Sequence, residues 1–241
     1  MTGKRACIFG ATGGIGAALT SMLADAADYE RIYACARTDS RWEQANIVPL
    51  RFDLTSEPSI ADVARRIANE GPLDLVIVAT GVLHRKGAFG PEKSWRALDP
   101  LVMAEMFALN SIGPALIAKH MLPVMRKDER TVFAALSARL GSTQDNHLGG
   151  WHSYRASKAA LNMLVRNFAW ELRTRNPQGV VVALHPGTVD TGLSEPFQPN
   201  IAAKQLLSPS QSAAHLVNVI SKLTPEQSGG FYAWDGESIV F

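Results

Sequence analysis

The chain of 241 residues is long enough for one large domain, and its 46 % apolar and 19 % charged residues exclude a disordered or fibrous protein. With 24 Lys and Arg against 22 Asp and Glu, the formal net charge is +2, which gives no reason to expect nucleic acid or an anionic membrane as a partner. Cys7 and Cys35 lie in apolar segments, so we expect buried free thiols in a reducing compartment rather than a disulfide.

The apolar segment near the N-terminus, residues 6–9, is too short for a secretion signal. No run of eighteen uncharged apolar residues occurs along the chain, which argues against a membrane-spanning helix. We therefore expect a cytoplasmic protein that does not bind a membrane.

Short apolar runs alternate with amphipathic segments, a pattern typical of βαβ units in a parallel sheet. The pattern predicts strands over 6–9, 32–36, 47–52, 73–79, 131–136, 180–184 and 231–234, and helices over 15–26, 60–69, 102–125, 154–174 and 210–223. The polar, proline-containing segment 193–209 has no periodicity and is predicted to be a flap on the substrate side. We predict a doubly wound α/β sheet of about seven strands in a single domain over residues 1–241.

A glycine-rich turn, residues 10–16, connects the first predicted strand to the first predicted helix. Glycines let the backbone approach a pyrophosphate, and the N–H groups at a helix start attract its negative charge. The turn therefore indicates a nucleotide site, although an ordinary tight connection between a strand and a helix is the alternative.

Charged residues follow the second and third predicted strands. Arg37 favours NADP(H) over NAD(H), because a guanidinium matches a 2′-phosphate whereas a ribose hydroxyl prefers an acidic acceptor. Asp39 argues in the opposite direction. Asp53 is placed to bind the adenine amino group or, equally well, to cap the turn that follows it.

Tyr154 and Lys158 are four residues apart in a predicted helix, so their side chains share one face. A nearby ammonium stabilises a phenolate and lowers the pKa of a tyrosine, which otherwise is about 10. The pair is therefore a candidate proton donor, although this spacing is also common on amphipathic helices.

These motifs occur in the order typical of the short-chain dehydrogenase/reductase family, which the whole chain resembles. The resemblance implies a Rossmann-type fold and an oxidoreductase that acts on a small carbonyl or alcohol. Together with Arg37, it implies cofactor contacts at Gly10, Thr12, Gly14, Ile15, Gly16, Asp53, Leu54, Ala79, Gly81, Lys158, Pro186, Gly187, Val189 and Thr191. The segment 78–81 keeps only the glycine of the family's Asn-Asn-Ala-Gly motif.

The same resemblance implies that Tyr154 donates the proton, that Lys158 lowers its pKa and binds the ribose, and that Asn110 holds a water that relays protons. The catalytic serine of the family corresponds to Ala138 when counted back from Gly141. Ser137, Ser142 or no hydroxyl at all are the remaining possibilities, and we choose Ser137.

The segment 137–162 resembles the branch of C-factor and sniffer-type carbonyl reductases. A signalling or redox-sensing protein that binds NADP(H) with little turnover is therefore the alternative to an enzyme. Family likeness of the long helices predicts a homodimer or homotetramer. The substrate side is predicted at Leu83, His84, Leu140, Trp151, His152, Leu193 and Phe197, which suit an apolar substrate but equally an oligomer interface or lid core.

Overall fold

The computed structural model describes residues 3–202 and 205–241. The strands are β1 (Lys4–Phe9), β2 (Tyr29–Ala36), β3 (Ile47–Arg51), β4 (Leu75–Val78), β5 (Thr131–Leu136), β6 (Gly179–His185), β7 (Thr188–Val189), β8 (Leu206–Leu207) and β9 (Phe231–Ala233). Seven of them form one parallel sheet in the order β3-β2-β1-β4-β5-β6-β9, which confirms the predicted fold class. The short strands β7 and β8 pair separately, and β8 lies within the segment predicted as a flap.

Helices cover both faces of the sheet, which explains why its strands are apolar at consecutive positions. They are α1 (Gly14–Asp25), α2 (Glu57–Glu70), α3 (Pro100–Phe107), α4 (Gly113–Met121), α5 (His152–Arg173) and α6 (Pro209–Lys222). Leu19 of α1 and Leu216 of α6 belong to the apolar cluster on one face. Ile60, Ile117 and Leu161 belong to the cluster on the other face, which α2, α4 and α5 cover.

The prediction of one continuous helix over 102–125 is wrong in one respect. A π-helical turn, Ala108–Ile112, separates α3 from α4, and it holds the buried Asn110. Apolar periodicity does not report such a turn, because the residues on either side keep helical spacing.

The helical stretch Pro100–Val124 is long and apolar enough to cross a membrane by length and composition, and it is the one such stretch among the described residues. In the structure α3 packs against α5, and α4 packs against α2. Met106, Ile117 and Met121 of this stretch are buried in the core.

The two cysteines are free and buried, as predicted, with their sulfur atoms 3.5 Å apart on β1 and β2.

The strand order reverses between β1 and β4. On one side of this point the sheet continues from β1 to β2 and β3, and on the other side it continues from β4 to β5, β6 and β9. Parallel sheets of this kind bind ligands in the crevice at the carboxyl ends of the strands where the order reverses. The glycine turn after β1 and the segment after β4 lie at this reversal.

Candidate active site

The glycine turn has the backbone geometry that its sequence predicts. Gly10 adopts a φ of +86°, in the left-handed region, and its N–H donates to the Cys35 carbonyl oxygen at 2.9 Å. A Cβ on Gly16 would lie 2.1 Å from the Gly10 carbonyl oxygen, so only glycine fits there. Helix α1 starts at Gly14 without a side-chain cap, which leaves its first N–H groups available to an anion.

The residues predicted near the adenine lie at the ends of β2 and β3. Arg37 is exposed and makes no ion pair with the described residues. Asp53 Oδ1 accepts hydrogen bonds from Thr55 N at 2.9 Å and Thr55 Oγ1 at 2.8 Å, so Asp53 caps the turn that follows it, and its contact with adenine stays a prediction. These bonds, with a smaller contribution from Arg37, lower the pKa of Asp53. The side chain of the half-buried Leu54 packs against Gly113 of α4.

A cavity of about 670 Å³ opens at the carboxyl edge of the sheet. The predicted site residues that line it are Ile15, Ala79, Gly81, Ser137, Tyr154, Lys158, Pro186, Gly187, Val189 and Thr191. The predicted residues outside its lining are Gly10, Thr12, Gly14, Gly16, Arg37, Asp53, Leu54 and Asn110. The cavity thus brings part of the predicted cofactor contacts together with the candidate proton donor. The adenine-side residues, the glycines of the turn after β1 and Asn110 lie outside its lining.

Tyr154 and Lys158 are both buried in the first turns of α5. Lys158 Nζ lies 5.9 Å from the centre of the Tyr154 ring and donates to the Leu136 carbonyl oxygen at 2.9 Å. Burial lowers the pKa of Lys158 to about 8, because the ammonium loses its hydration.

Burial also raises the pKa of the Tyr154 hydroxyl above its usual value of 10.0. Desolvation of the phenolate is the dominant effect, so the net shift of the Tyr154 pKa is upward even though Lys158 is nearby. Tyr154 is a protonated hydroxyl at neutral pH, which is the form that can donate a proton.

Asn110 connects the segment after β4 to α5. Its Oδ1 accepts from Val82 N at 2.8 Å, and its Nδ2 donates to Val82 O at 2.9 Å and to Ser157 Oγ at 3.1 Å. Both amide hydrogens are thus used by protein groups. A Cβ on Gly81 would lie 3.3 Å from Asn110 Oδ1 and 3.5 Å from Lys158 Nζ, so this glycine allows the three residues to lie close together.

The hydroxyls of Ser137 and Ser142 both have hydrogen-bond partners within the protein. Ser137 borders the cavity, but its Oγ donates to Asn162 Oδ1 of α5 at 2.7 Å. Ala138 packs in a small apolar cluster with Tyr154 and Leu83. Ser142 lies outside the cavity lining, and its hydroxyl accepts from the Asp145 backbone N–H at 3.0 Å.

The predicted substrate side is apolar for the most part. Leu83, Leu140, Trp151, Leu193 and Phe197 line the cavity, as expected, whereas His84 and His152 do not. His84 instead contacts Gly192 O through Nε2 at 3.0 Å, and its ring lies 5.8 Å from that of Phe197. His152 is the first residue of α5. The predicted flap contains a short 3₁₀ helix, Glu195–Asn200, and β8, while residues 203–204 lie outside the described residues.

Glu92 is a site residue that the sequence did not reveal. It is buried in the segment between β4 and α3, and its carboxylate accepts hydrogen bonds from Ser153 N at 3.3 Å and from Ser153 Oγ. It thereby caps the N-terminus of α5, where a negative charge is favoured. No local pattern could have revealed this contact, because the two residues are 61 positions apart in the chain.

Trp151 is held over the cavity by the same segment. Its backbone N–H donates to the backbone carbonyl oxygen of Glu92 at 2.6 Å. Its φ of +52° is the one left-handed value among the described residues other than glycine. The ring centre lies 6.4 Å from that of Tyr154 and 4.8 Å from that of Phe197. Trp151 therefore connects the candidate proton donor to the flap.

Comparisons with known proteins agree with this geometry. The profile of the short chain dehydrogenase family matches residues 4–202. The C-signal protein of Myxococcus xanthus is 36 % identical over 170 residues, which are 70 % of this chain and 93 % of that protein. The 1-hydroxy-2-glutathionyl-2-methyl-3-butene dehydrogenase of Rhodococcus sp. (strain AD45) is 32 % identical over 232 residues, which are 95 % of this chain and 96 % of that enzyme.

The fold of this chain is also similar to that of the NADPH-bound carbonyl reductase from chicken fatty liver. The TM-score is 0.83 at 25 % identity, and the match covers 99 % of this chain and 94 % of that chain. The C-signal and carbonyl reductase matches confirm the branch that the sequence indicates. This chain belongs to the short-chain dehydrogenase/reductase family and is an NAD(P)-dependent oxidoreductase that acts on CH–OH or C=O groups.

Proposed function

We propose that this oxidoreductase transfers a hydride between NADP(H) and a small apolar carbonyl or alcohol, with Tyr154 as the proton donor and acceptor. One observation carries the proposal: the hydroxyl-bearing Tyr154 and the ammonium of Lys158 are buried side by side in the cavity at the carboxyl edge of the sheet. The Tyr154 hydroxyl, a proton donor, thus lies near the Lys158 ammonium, a cation, and both are shielded from most of the solvent.

The residues present fit a dinucleotide. The uncapped start of α1 beside Gly14 suits a pyrophosphate, and Thr80 Oγ1 is buried in the cavity lining with no hydrogen-bond partner among the described residues. Lys158 would hold the ribose, and Pro186, Gly187 and Thr191 would hold the carboxamide end of the nicotinamide. When bound, the nicotinamide supplies the hydride or accepts it.

The chain's own residues supply the proton. During reduction Tyr154 adds a proton to the substrate oxygen, so hydride and proton together convert C=O to CH–OH. Lys158, fixed through Leu136 O, stabilises the phenolate that remains. Asn110 fixes the segment behind Lys158, and we propose that a water at this π turn returns a proton to the pair.

The preference for NADP(H) rests on Arg37. Its guanidinium is exposed at the end of β2 and has no carboxylate partner among the described residues, so it is available to a 2′-phosphate. The NADPH-bound carbonyl reductase with a similar structure supports the same cofactor.

The substrate class rests on the cavity lining. Leucine and aromatic side chains dominate the substrate side, and such surfaces bind small apolar groups. The relative from Rhodococcus acts, by its name, on a 1-hydroxy compound whose butene chain also carries a glutathionyl group, so it supports an alcohol as substrate but not the apolar class.

A second candidate function is signalling or redox sensing through bound NADP(H). It is favoured by the identity to the C-signal protein and by Ala138 beside Tyr154, where a hydroxyl would assist turnover. Retention of the tyrosine favours the enzyme, because cofactor binding alone does not need a phenol.

We also propose that the chain forms a homodimer or homotetramer through the outer face of α4 and α5. Met163 and Trp170 of α5 and Ile112, which directly precedes α4, are more than half exposed, and large apolar side chains in such numbers favour contact with a second copy. Sedimentation velocity of the purified protein tests this, since a monomer at all concentrations contradicts it.

The experiment that separates the two functions measures NADPH oxidation with a panel of aldehydes and ketones, beside NADPH binding by fluorescence. We expect turnover that increases with the apolar character of the carbonyl compound, and weaker activity with NADH. Tight NADPH binding without turnover on any carbonyl would instead support sensing.

A further inference from the structure

Tyr154 supplies only one hydrogen bond to the substrate oxygen under the proposed function. A carbonyl oxygen has two lone pairs and gains negative charge as the hydride arrives, so a second donor stabilises the transition state. The hydroxyl next to this place is not available, because Ser137 Oγ donates to Asn162 Oδ1 at 2.7 Å and the following residue is Ala138.

The cationic side chains of the cavity lining are engaged elsewhere. Arg139 pairs with Asp145 at 3.4 Å, and Arg155 donates to the carbonyl oxygens of Gly150 and Leu140. Lys158 donates to a backbone carbonyl of β5. None of these groups is directed by its observed contacts to a position opposite Tyr154.

His185 borders the cavity next to the Ser137–Ala138 segment. It is the last residue of β6, and it lines the same cavity as Tyr154 and Lys158. The strands pair Leu136 with Leu184, and Ser137 N donates to Leu184 O at 2.7 Å, so His185 lies beside the Ser137–Ala138 segment. Pairing of His185 with Ala233 of β9 and the proline that follows it fix its backbone.

The imidazole of His185 has donor capacity that no described residue uses. Nδ1 is buried and has no hydrogen-bond partner, and Nε2 makes no hydrogen bond with the described residues. A hydrogen on Nδ1 would be a buried donor without an acceptor, so the favoured neutral tautomer carries its hydrogen on Nε2. Burial, assisted by Arg139 and opposed by Asp235, lowers the pKa of His185 to about 4, so the ring is neutral in the physiological range.

We infer that His185 donates the second hydrogen bond to the substrate oxygen through Nε2, opposite the Tyr154 hydroxyl. The inference rests on the proposed function and assigns His185 as a further catalytic residue. It explains how the chain retains carbonyl chemistry with an alanine at position 138. The ring stabilises the developing charge by a hydrogen bond and transfers no proton, so the proton balance stays with Tyr154.

The test combines His185→Phe, which removes the donor and keeps a planar ring, with Ala138→Ser, which adds a hydroxyl beside Tyr154. We expect His185→Phe to lower kcat/KM for reduction of an apolar aromatic aldehyde by about 10- to 100-fold, as loss of an oxyanion donor does. NADPH affinity should stay within about 2-fold, because the cofactor contacts lie on other residues. Adding Ala138→Ser to His185→Phe should restore a tenfold or larger part of the loss.

His120→Phe is the matched control, since His120 lies on α4 outside the cavity and contacts Glu57 of α2, and the variant should retain the kcat/KM of the unchanged enzyme. If His185→Phe does not fold, as judged by circular dichroism and NADPH binding, His185→Ala carries the same test. Unchanged kcat/KM in the folded donor-less variant, or no gain from the added serine, overturns the inference. Absence of turnover by the enzyme without substitutions would instead contradict the proposed function.

Discussion

The carboxylate of Glu92 accepts hydrogen bonds from the backbone N–H and the hydroxyl of Ser153, the residue that directly precedes Tyr154. The segment between β4 and α3 thus sets the start of the helix that carries the candidate proton donor. The same segment holds Trp151 in a left-handed conformation over the cavity. The positions of Trp151 and of the proton donor are therefore both set by Glu92, the first through its backbone carbonyl and the second through its carboxylate.

Glu92→Gln tests this coupling. The amide of glutamine is neutral and has one acceptor oxygen in place of two, so it cannot replace both hydrogen bonds from Ser153. We therefore expect a loss of about 1–3 kcal/mol in the free energy of unfolding. KM for an apolar carbonyl should rise because Ser153, and with it the start of α5 and Tyr154, is held less firmly, whereas NADPH affinity should not change. Urea unfolding and steady-state kinetics measure both effects, and the exposed Glu43→Gln serves as the control. Equal behaviour of the two variants would show that Glu92 does not position the site.

Arg37→Ser tests the cofactor preference. Loss of a charge-assisted hydrogen bond to the 2′-phosphate should weaken NADPH binding by about 10- to 100-fold, while NADH binding changes little. Fluorescence titration with each cofactor measures the ratio of the two affinities. Arg41→Ser, four residues further and also exposed, controls for general loss of positive charge. A parallel fall in the affinities for both cofactors would refute the assigned role of Arg37.

Lys158 gives the chain a specific dependence of stability on pH. Its pKa is about 8 in the folded chain against 10.5 for the free side chain, so the unfolded chain binds more protons between these values. The free energy of unfolding should therefore rise with pH across this window, by up to about 3 kcal/mol for the full shift. Burial raises the pKa of Tyr154, so above pH 10.0 this residue makes the free energy of unfolding fall with pH. Measurements should therefore stop below that value.

The difference between the unchanged chain and Lys158→Met isolates this effect in urea unfolding without cofactor. We expect the methionine variant to be the more stable at pH 7 and to lose that advantage as the pH rises above 8. Lys222→Met, at the exposed end of α6, should not alter the pH dependence. Curves for Lys158→Met and the unchanged chain that stay parallel would mean that the buried ammonium is not destabilised.

The strands and the helices were predictable because their apolar residues recur with the period of each element. The break at Asn110 was not, since a π turn is set by contacts to Val82 and Ser157, far away in sequence. The contact of Glu92 with Ser153 and the direction of the Ser137 hydroxyl depend in the same way on tertiary structure. The free ring nitrogen of His185 is likewise visible only once its neighbours are placed.

The most direct test of the account is the kcat for NADPH-dependent carbonyl reduction by Tyr154→Phe, measured beside its NADPH affinity. Removal of the one hydroxyl should lower kcat by about 10²- to 10⁴-fold, the range typical of general acid catalysis, with NADPH affinity unchanged. Tyr232→Phe, whose hydroxyl contacts Gln227 O outside the cavity, should retain full activity. A Tyr154→Phe enzyme that reduces carbonyl compounds at the unchanged rate would contradict the central claim.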